Sequence, residues 1–577
     1  MILNVQNRFF LYIFFLLIFI SFNSTPASAG GSKEPPESPV VVQEQEHVPV
    51  VTASGGGLAD EIRSLTETGI LSYMLQAIEL IRSRDLIASD FGRLMSGINT
   101  ILIRRIYPDS LARLPVIDMP QTSNYTRIIR EAERGSYIQP PANSDDFLEL
   151  VLPFLAINSN SDEYIRSIAM RDLERAGQVQ PLSVLPAYFT GILHEYAGRH
   201  NEAISAYNRA YSISREFYPS QIGIARVNRI TGNPAEAVSI LSNLAVIYPD
   251  SREIRRELAH CYYANSDWPH ALPAIEEILR ADPRDGVFLL MRAYILIDQG
   301  NYSQANASLD NYASINSNNR DYLYMRAQVQ FDGSRNRDSA LNYLRSILRV
   351  NPNDVQAMIF AVTLLMDSQR EPDHVEGREL LERLRQAAGS SIEVMNLSLR
   401  DAVRRESWQE AQRYLNSVLT VRRTIADITD GYYIERGLGN NARALIFARE
   451  LYDRDTSNND YSAIYISALI DNGQRAEASR LIESRLNSVT NTQLKSRFFY
   501  LRSRLQTNTD DALGDLRSSL FEDPRNLDAI IAMFEIYHNR REERRAVYYL
   551  RQALAIAPDN PRLRRYEIEY ASLLGRN

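Results

Sequence analysis

Small residues recur along this chain with a nearly fixed stride. Ala169, Ala203, Ala237, Ala271, Ala305, Ala340, Gly377, Ala411, Ala444, Ala478, Ala512 and Ala546 form a ladder in which eight of eleven intervals are 34 residues; the others are 35, 37 and 33. Other residue types keep register with it. Glycine stands five residues before the marker at Gly198, Gly232, Gly300, Gly439 and Gly473, where a helix has to stop and turn. Three before it come Trp268, Tyr302 and Trp408, and twelve before it the small residues Gly191, Ala225, Ala259 and Ala293. Apolar pairs follow at four and seven (Leu241/Leu244, Ile275/Ile278, Leu344/Ile347, Leu415/Val418). Proline follows at twelve (Pro181, Pro249, Pro283, Pro352, Pro524, Pro558), ending a helix before the next unit begins.

This pattern predicts pairs of antiparallel helices of about 12–15 residues each, crossing closely where small residues face one another. The aromatic fills the wedge beside the crossing, and the later apolar pair buries a stripe against the neighbouring hairpin. One hairpin cannot bury its own faces, so the pairs must stack.

The order small residue, glycine, aromatic, alanine, apolar pair, proline at period 34 resembles the tetratricopeptide repeat. The resemblance covers roughly residues 148–560, about twelve units, and is strongest over Arg252–Pro283. It implies an all-α fold, a right-handed α-solenoid (superhelix) of about twelve antiparallel helix pairs. Around Arg370–Ser391 the longer interval and Pro372 suggest a longer turn and a change in superhelix direction. Arg485 and Ser519 stand at late apolar positions, which predicts loose packing there. Ahead of the array, helical spacing such as Ile70, Met74, Ile78 and Ile81 marks 58–147 as a helical N-terminal capping region; 561–577, with Leu563, Ile568, Leu573 and Leu574, reads as a C-terminal capping helix.

Residues 1–29 read as a secretory signal: Arg8, the apolar run Phe9–Phe22, then Ala27-Ser28-Ala29. The run is short of the roughly 20 apolar residues that span a membrane. No cysteine follows it for a lipid anchor, so the expected location is a bacterial periplasm. Pro- and Gly-rich residues 30–57 read as a disordered linker.

At 577 residues, with 45% apolar positions, the chain can bury a core throughout. Its net charge is −7, or −8 once Arg8 leaves with the signal segment, which excludes a globally basic nucleic-acid binder. Lysine occurs only at Lys33 and Lys495, against Schiff-base or P-loop chemistry. The single Cys261 permits no intrachain disulfide, and on a packed helix it reads as a core thiol. The seven histidines show no ligand spacing. Asp453–Asp460 starts like a calcium loop, but has Asn458 and Ile464 where glycine and an acid are needed. No enzyme activity, cofactor or metal is expected.

In the family this chain resembles, first helices line the concave face, with positions fifteen, eleven and eight before the marker pointing inward. The resemblance carries those roles to Tyr188, Arg226, Arg229, Arg256, His260, Tyr263 and Tyr294. Arginine forks onto carboxylates and tyrosine offers broad contact at low entropic cost. Such a groove could grip an acidic segment or a C-terminal carboxylate of a protein partner. Equally, its arginines could pair with Glu195, Glu253 and Glu257. The expected function is a non-enzymatic protein–protein interaction scaffold in the cell envelope, touching membrane only peripherally or through partners. The alternative is an accessory protein of a solute-transport or polysaccharide-secretion system, holding a small molecule or polymer.

Overall fold

The computed structural model describes residues 57–113, 118–558 and 560–575. The expected signal segment 1–29 and all but the last residue of the linker 30–57 lie outside them. Among the described residues every regular element is a helix, and none is long and apolar enough to cross a membrane. The chain divides into two compact units, Met1–Ser317 and Asn318–Asn577.

In the first unit, helices Leu58–Glu67, Leu71–Ser83, Asp90–Ile106 and Asn124–Glu133 precede the repeats. Ile70, Met74, Ile78 and Ile81 are all buried, in a core that runs without a break from Ile62 to Cys261. The unit marked by Ala169 has only a short first element, Phe147–Val151 and Leu152–Ala156, before its second helix Glu163–Val179. Full pairs follow: Leu185–Tyr196 with His200–Ile213, Tyr218–Ile230 with Pro234–Ile247, Arg252–Ala264 with Trp268–Ala281, and Gly286–Asp298 with Tyr302–Asn316.

The second unit continues the pattern from Arg320 to Ile556, closed by Pro561–Glu569 and Ala571–Leu574. The closing face mixes aliphatic and aromatic side chains. Leu563 and Tyr570 are buried, and Tyr566 and Tyr570 set their rings edge-on to Phe534 at 4.8 and 6.3 Å, while Ile568 points to solvent.

Every ladder residue is buried in a second helix. Five residues before it, the backbone turns left-handed at each of the five glycines, and also at Ser266 (φ 56°), Arg335 (53°), Glu406 (54°) and Arg541 (58°). The turn closes by a hydrogen bond from the following amide back into the first helix, as from Asp267 to the Tyr262 carbonyl (2.9 Å) and Ser407 to that of Ala402 (2.9 Å). At the other end, second helices stop two residues before the proline, at Ile247, Ala281, Val350, Glu522 and Ile556. Two residues after it, Ser251, Asp285, Asp354 and Asn526 cap the next first helix with their side-chain oxygens.

The irregular intervals have local causes. The 35-residue unit absorbs its extra residue as one π-helical turn, Val329–Gly333, at the end of a first helix. The 37-residue unit places its three extra residues in helix rather than in a longer turn. Glu371-Pro372-Asp373 add a turn to the start of Glu371–Ala388, where proline is tolerated because it sits in the first turn. The packing at Ser519 is tight, not loose. Ser519 and Ser496 are both fully buried, their hydroxyls lie 2.9 Å apart, and the Asn526 amide donates to both at 3.2 and 2.9 Å. A closed polar knot replaces the apolar side chain usual there.

Candidate functional site on the first-helix faces

The seven groove residues expected from sequence all lie on first helices of the first unit, in two neighbourhoods. Tyr188 is buried, its ring edge-on to Phe217 (5.0 Å) and tilted against Tyr207 (5.8 Å); burial pushes its hydroxyl up. Next to it, Arg226 forks onto Glu195, Nε to Oε1 at 2.5 Å and Nη2 to Oε2 at 3.1 Å. Burial alone would lower that guanidinium; Glu195 more than offsets it and keeps the charge fixed. Arg229 lies 3.6 Å from Glu257, and Arg256 is 2.5 Å from Asp285 with its guanidinium over the Phe288 ring. Each of these arginines therefore has a carboxylate of its own chain. His260 packs against Phe288 at 4.8 Å, and its ring is held below the usual range by burial. Tyr263 and Tyr294 form an aromatic triangle with Trp268 (5.6, 5.7 and 6.2 Å), and the indole donates to Asp298 at 2.9 Å.

The second unit holds a comparable site that the seven residues do not include. A pocket of about 90 Å³ is lined by Tyr432, Tyr433, Arg436, Arg497, Tyr500, Arg504, Ser467 and Asp528, with Ala463 and Leu501 at its base. Four successive first helices supply them: Ile425–Gly437, Asn459–Asp471, Thr492–Ser503 with the adjoining Arg504, and Leu527–Asn539. One carboxylate, Asp471, serves two arginines, Arg504 at 2.5 Å and Arg436 at 3.3 Å, and Arg504 also donates to the Ser467 hydroxyl at 3.1 Å. Arg497 has only the exposed Asp460, at 3.1 Å, a pair of the weak surface kind. Tyr432 and Tyr433 meet edge-on at 5.0 Å, and burial pushes the Tyr500 hydroxyl up. This wall can present two-pronged N–H donors beside flat aromatic faces, the chemistry that receives a carboxylate on an extended chain.

Residues 225–286 match the family described as the tetratricopeptide repeat. The chain contains tetratricopeptide repeats. No curated protein sequence matches it. Among solved structures, it is similar to PilF of Pseudomonas aeruginosa (17% identity, 34% of this chain and 88% of that one, TM-score 0.31). It is also similar to a tetratricopeptide repeat protein of Parabacteroides merdae (15%, 46% and 98%, 0.32) and to yeast Tom70 (10%, 71% and 92%, 0.30). Scores at this level add nothing to the family match. A fold of this kind serves protein–protein interaction.

The second pocket was within reach of the repeat register. Tyr433 and Arg436 stand eleven and eight before Ala444, Ser467 eleven before Ala478, and Arg497 and Arg504 fifteen and eight before Ala512.

Among the described residues no three His, Cys, Asp or Glu side chains are grouped to hold a metal ion. Cys261 is buried, and burial pushes its thiol up to about 12, so it is un-ionised near neutrality. In the Asp453–Asp460 stretch only residues 455–458 lie outside helix, as the turn between Asn441–Arg454 and Asn459–Asp471. Asp455 accepts from the Ser457 amide and hydroxyl (3.0 and 2.6 Å), and Asn458 caps Asn459–Asp471.

Proposed function

We propose that this protein is a non-enzymatic docking scaffold of a bacterial cell envelope, exported by residues 1–29, that holds protein partners on its first-helix faces. The observation that carries the docking role is the pocket built on Arg436, Arg497 and Arg504 with Tyr432, Tyr433 and Tyr500. Arg436 and Arg504 share the one carboxylate Asp471, and Arg497 has the exposed Asp460, so an incoming acidic segment or C-terminal carboxylate meets guanidinium donors held less tightly than those of the first unit, beside the pocket's own Asp528. The first unit's arginines are matched one by one with their own acids, which makes that face the poorer receiver. The alternative, a holder of small molecules or polymers in an apolar channel, calls for a leucine- and valine-lined face; the arginines and tyrosines of the second unit's pocket favour the first reading.

The test is crosslinking in the native envelope followed by mass spectrometry, on the wild type and on Arg436→Glu/Arg504→Glu. Loss of a reproducible partner from the variant supports the reading. An identical set of crosslinks removes the pocket as the docking face. Fractionation checks location: deleting 1–29 should leave the protein in the cytoplasm.

A further inference from the structure

The first unit carries something across its own first helices. Beyond Asp90–Ile106 the chain passes through Tyr107 into a tight turn, Pro108–Arg113. Tyr107 is buried, edge-on to Phe217 (6.1 Å) and Tyr218 (5.5 Å) where helix Tyr218–Ile230 begins, and its hydroxyl donates to the Gly69 carbonyl at 3.3 Å. Two residues on, Asp109 Oδ2 accepts from the Ser251 hydroxyl (2.8 Å) and from the Glu253 amide (2.9 Å). Ser251 caps helix Arg252–Ala264 by taking the Ile254 amide, so Asp109 takes a first-turn amide that the cap leaves open. More than 140 residues separate the partners.

We propose that the first-helix face of the first unit is a binding site for a short, tightly turned segment bearing an aromatic and, two residues later, an aspartate, and that Tyr107–Ser110 is its resident occupant. The geometry divides the work. The aromatic is wedged at the start of one first helix, and the carboxylate is read by a hydroxyl and a backbone amide at the start of the next. A partner segment of the same chemistry competes with the strap. This proposal stands apart from docking in the second unit, since the ligand it names is the chain itself.

Glu253 makes the contact sensitive to pH. Facing its carboxyl are Asp109 from the strap, Arg226 and Tyr218 from helix Tyr218–Ile230, Tyr188 from helix Leu185–Tyr196, and Glu257 on its own helix. Burial first, then the negative charges of Asp109 and Glu257, with Arg226 opposing, push it up to about 7. Asp109 is among the groups that disfavour the ionised form. By linkage, ionising Glu253 disfavours Asp109 in place, so the strap holds more tightly below pH 7 than above it.

The experiment uses the full chain. Hydrogen exchange at the Glu253 amide reads the latch directly. It should be protected in the wild type, more so at pH 6 than at pH 8 after correction for intrinsic rates. In Asp109→Ala it should lose that protection while the Cys261 amide keeps its own. In Tyr107→Ser/Asp109→Ala, a fluorescent Ile-Tyr-Pro-Asp-Ser-Leu peptide with blocked ends should bind, and its Asp→Asn form should bind about tenfold more weakly. The wild type should bind neither. Protection of Glu253 that survives Asp109→Ala would overturn the proposal, as would equal peptide binding to wild type and variant. If the double variant exchanges its core amides and so fails to fold, the single-variant result decides alone.

Discussion

The ring of Tyr207 stands where a side chain on Gly191 would have to go: a Cβ there would lie 2.5 Å from Tyr207 Cε1. Gly223, on the next first helix, faces the same ring, with its Cβ position 2.6 Å from Cζ, and the hydroxyl donates to Glu195 at 2.7 Å. Two glycines thus make the slot that one tyrosine fills. Gly191→Ala should destabilise by about 1–3 kcal/mol, because overpacking exceeds the helix-propensity gain of under about 1 kcal/mol. Gly177 supplies the contrast. A Cβ there meets Pro186 at an ordinary 3.7 Å, so Gly177→Ala should be neutral or stabilising. Urea unfolding of the two variants compares them, and effects of the same sign would refute the account.

The left-handed turn residues allow a second comparison. Glu406, Arg335, Ser266 and Arg541 hold positive φ with a side chain attached, at a cost of about 1–2 kcal/mol each. Glu406→Gly removes that strain but loosens the unfolded chain by about 0.4–1 kcal/mol, leaving a net gain near 0.5–1 kcal/mol. Gly439→Ala is the reverse experiment. Nothing lies within 4 Å of its Cβ position, so a loss of about 1 kcal/mol would come from backbone conformation alone. If Gly439→Ala unfolds at the wild-type denaturant concentration, the strain assignment is wrong.

These turns also show how far the sequence could be read. Gly198 and Gly439 announced their conformation by residue type; Ser266 and Glu406 did not, because there the repeat context imposes a conformation the residue disfavours. Periodicity located the buried Ala271 and the prolines, for both follow from stacking alone. The caps two residues after those prolines, Ser251, Asp285, Asp354 and Asn526, keep the same register, since each opens the next first helix. At the C-terminal cap Leu563 is buried as the helical spacing predicts, while Tyr566 and Tyr570, outside the aliphatic pattern, add the ring contacts with Phe534. The pairing of Arg226 with Glu195 and of Arg229 with Glu257 is one of the two readings the residue types allow; the strap at Asp109 lay beyond a periodic reading, which compares equivalent positions and is blind to contacts between unlike ones.

The polar knot at Ser496, Ser519 and Asn526 should be costly to open. Asn526 both caps its helix and donates to both hydroxyls, so Asn526→Ala loses a cap of about 1 kcal/mol and leaves buried oxygens without their donor, about 1–3 kcal/mol more. Ser519→Ala keeps the cap and leaves Ser496 bonded to the Ser519 carbonyl at 2.8 Å, so its cost should stay nearer 1 kcal/mol. The order of the two unfolding midpoints checks this; a larger loss in Ser519→Ala would mean the knot is not held as described.

Asp430 gives a prediction in which pH fixes the sign. Burial, and after it Asp427, push its carboxyl from 3.8 up to about 6, with Arg400 and Arg422 opposing. A carboxyl raised on folding binds its proton more tightly in the native state. The native state is therefore penalised as pH climbs from about 4 through about 6, and the penalty is complete above that range. The full shift corresponds to about 3 kcal/mol; contact with water at this half-buried site reduces the expected effect to about 1–2 kcal/mol. Asp430→Asn removes the ionisation, so the variant should match the wild type near pH 4 and exceed its stability by that amount at pH 7.5. Denaturant midpoints for both proteins across this range measure the gap. A gap constant with pH would show that the carboxyl is not held protonated, and that Arg400 and Arg422 already neutralise it.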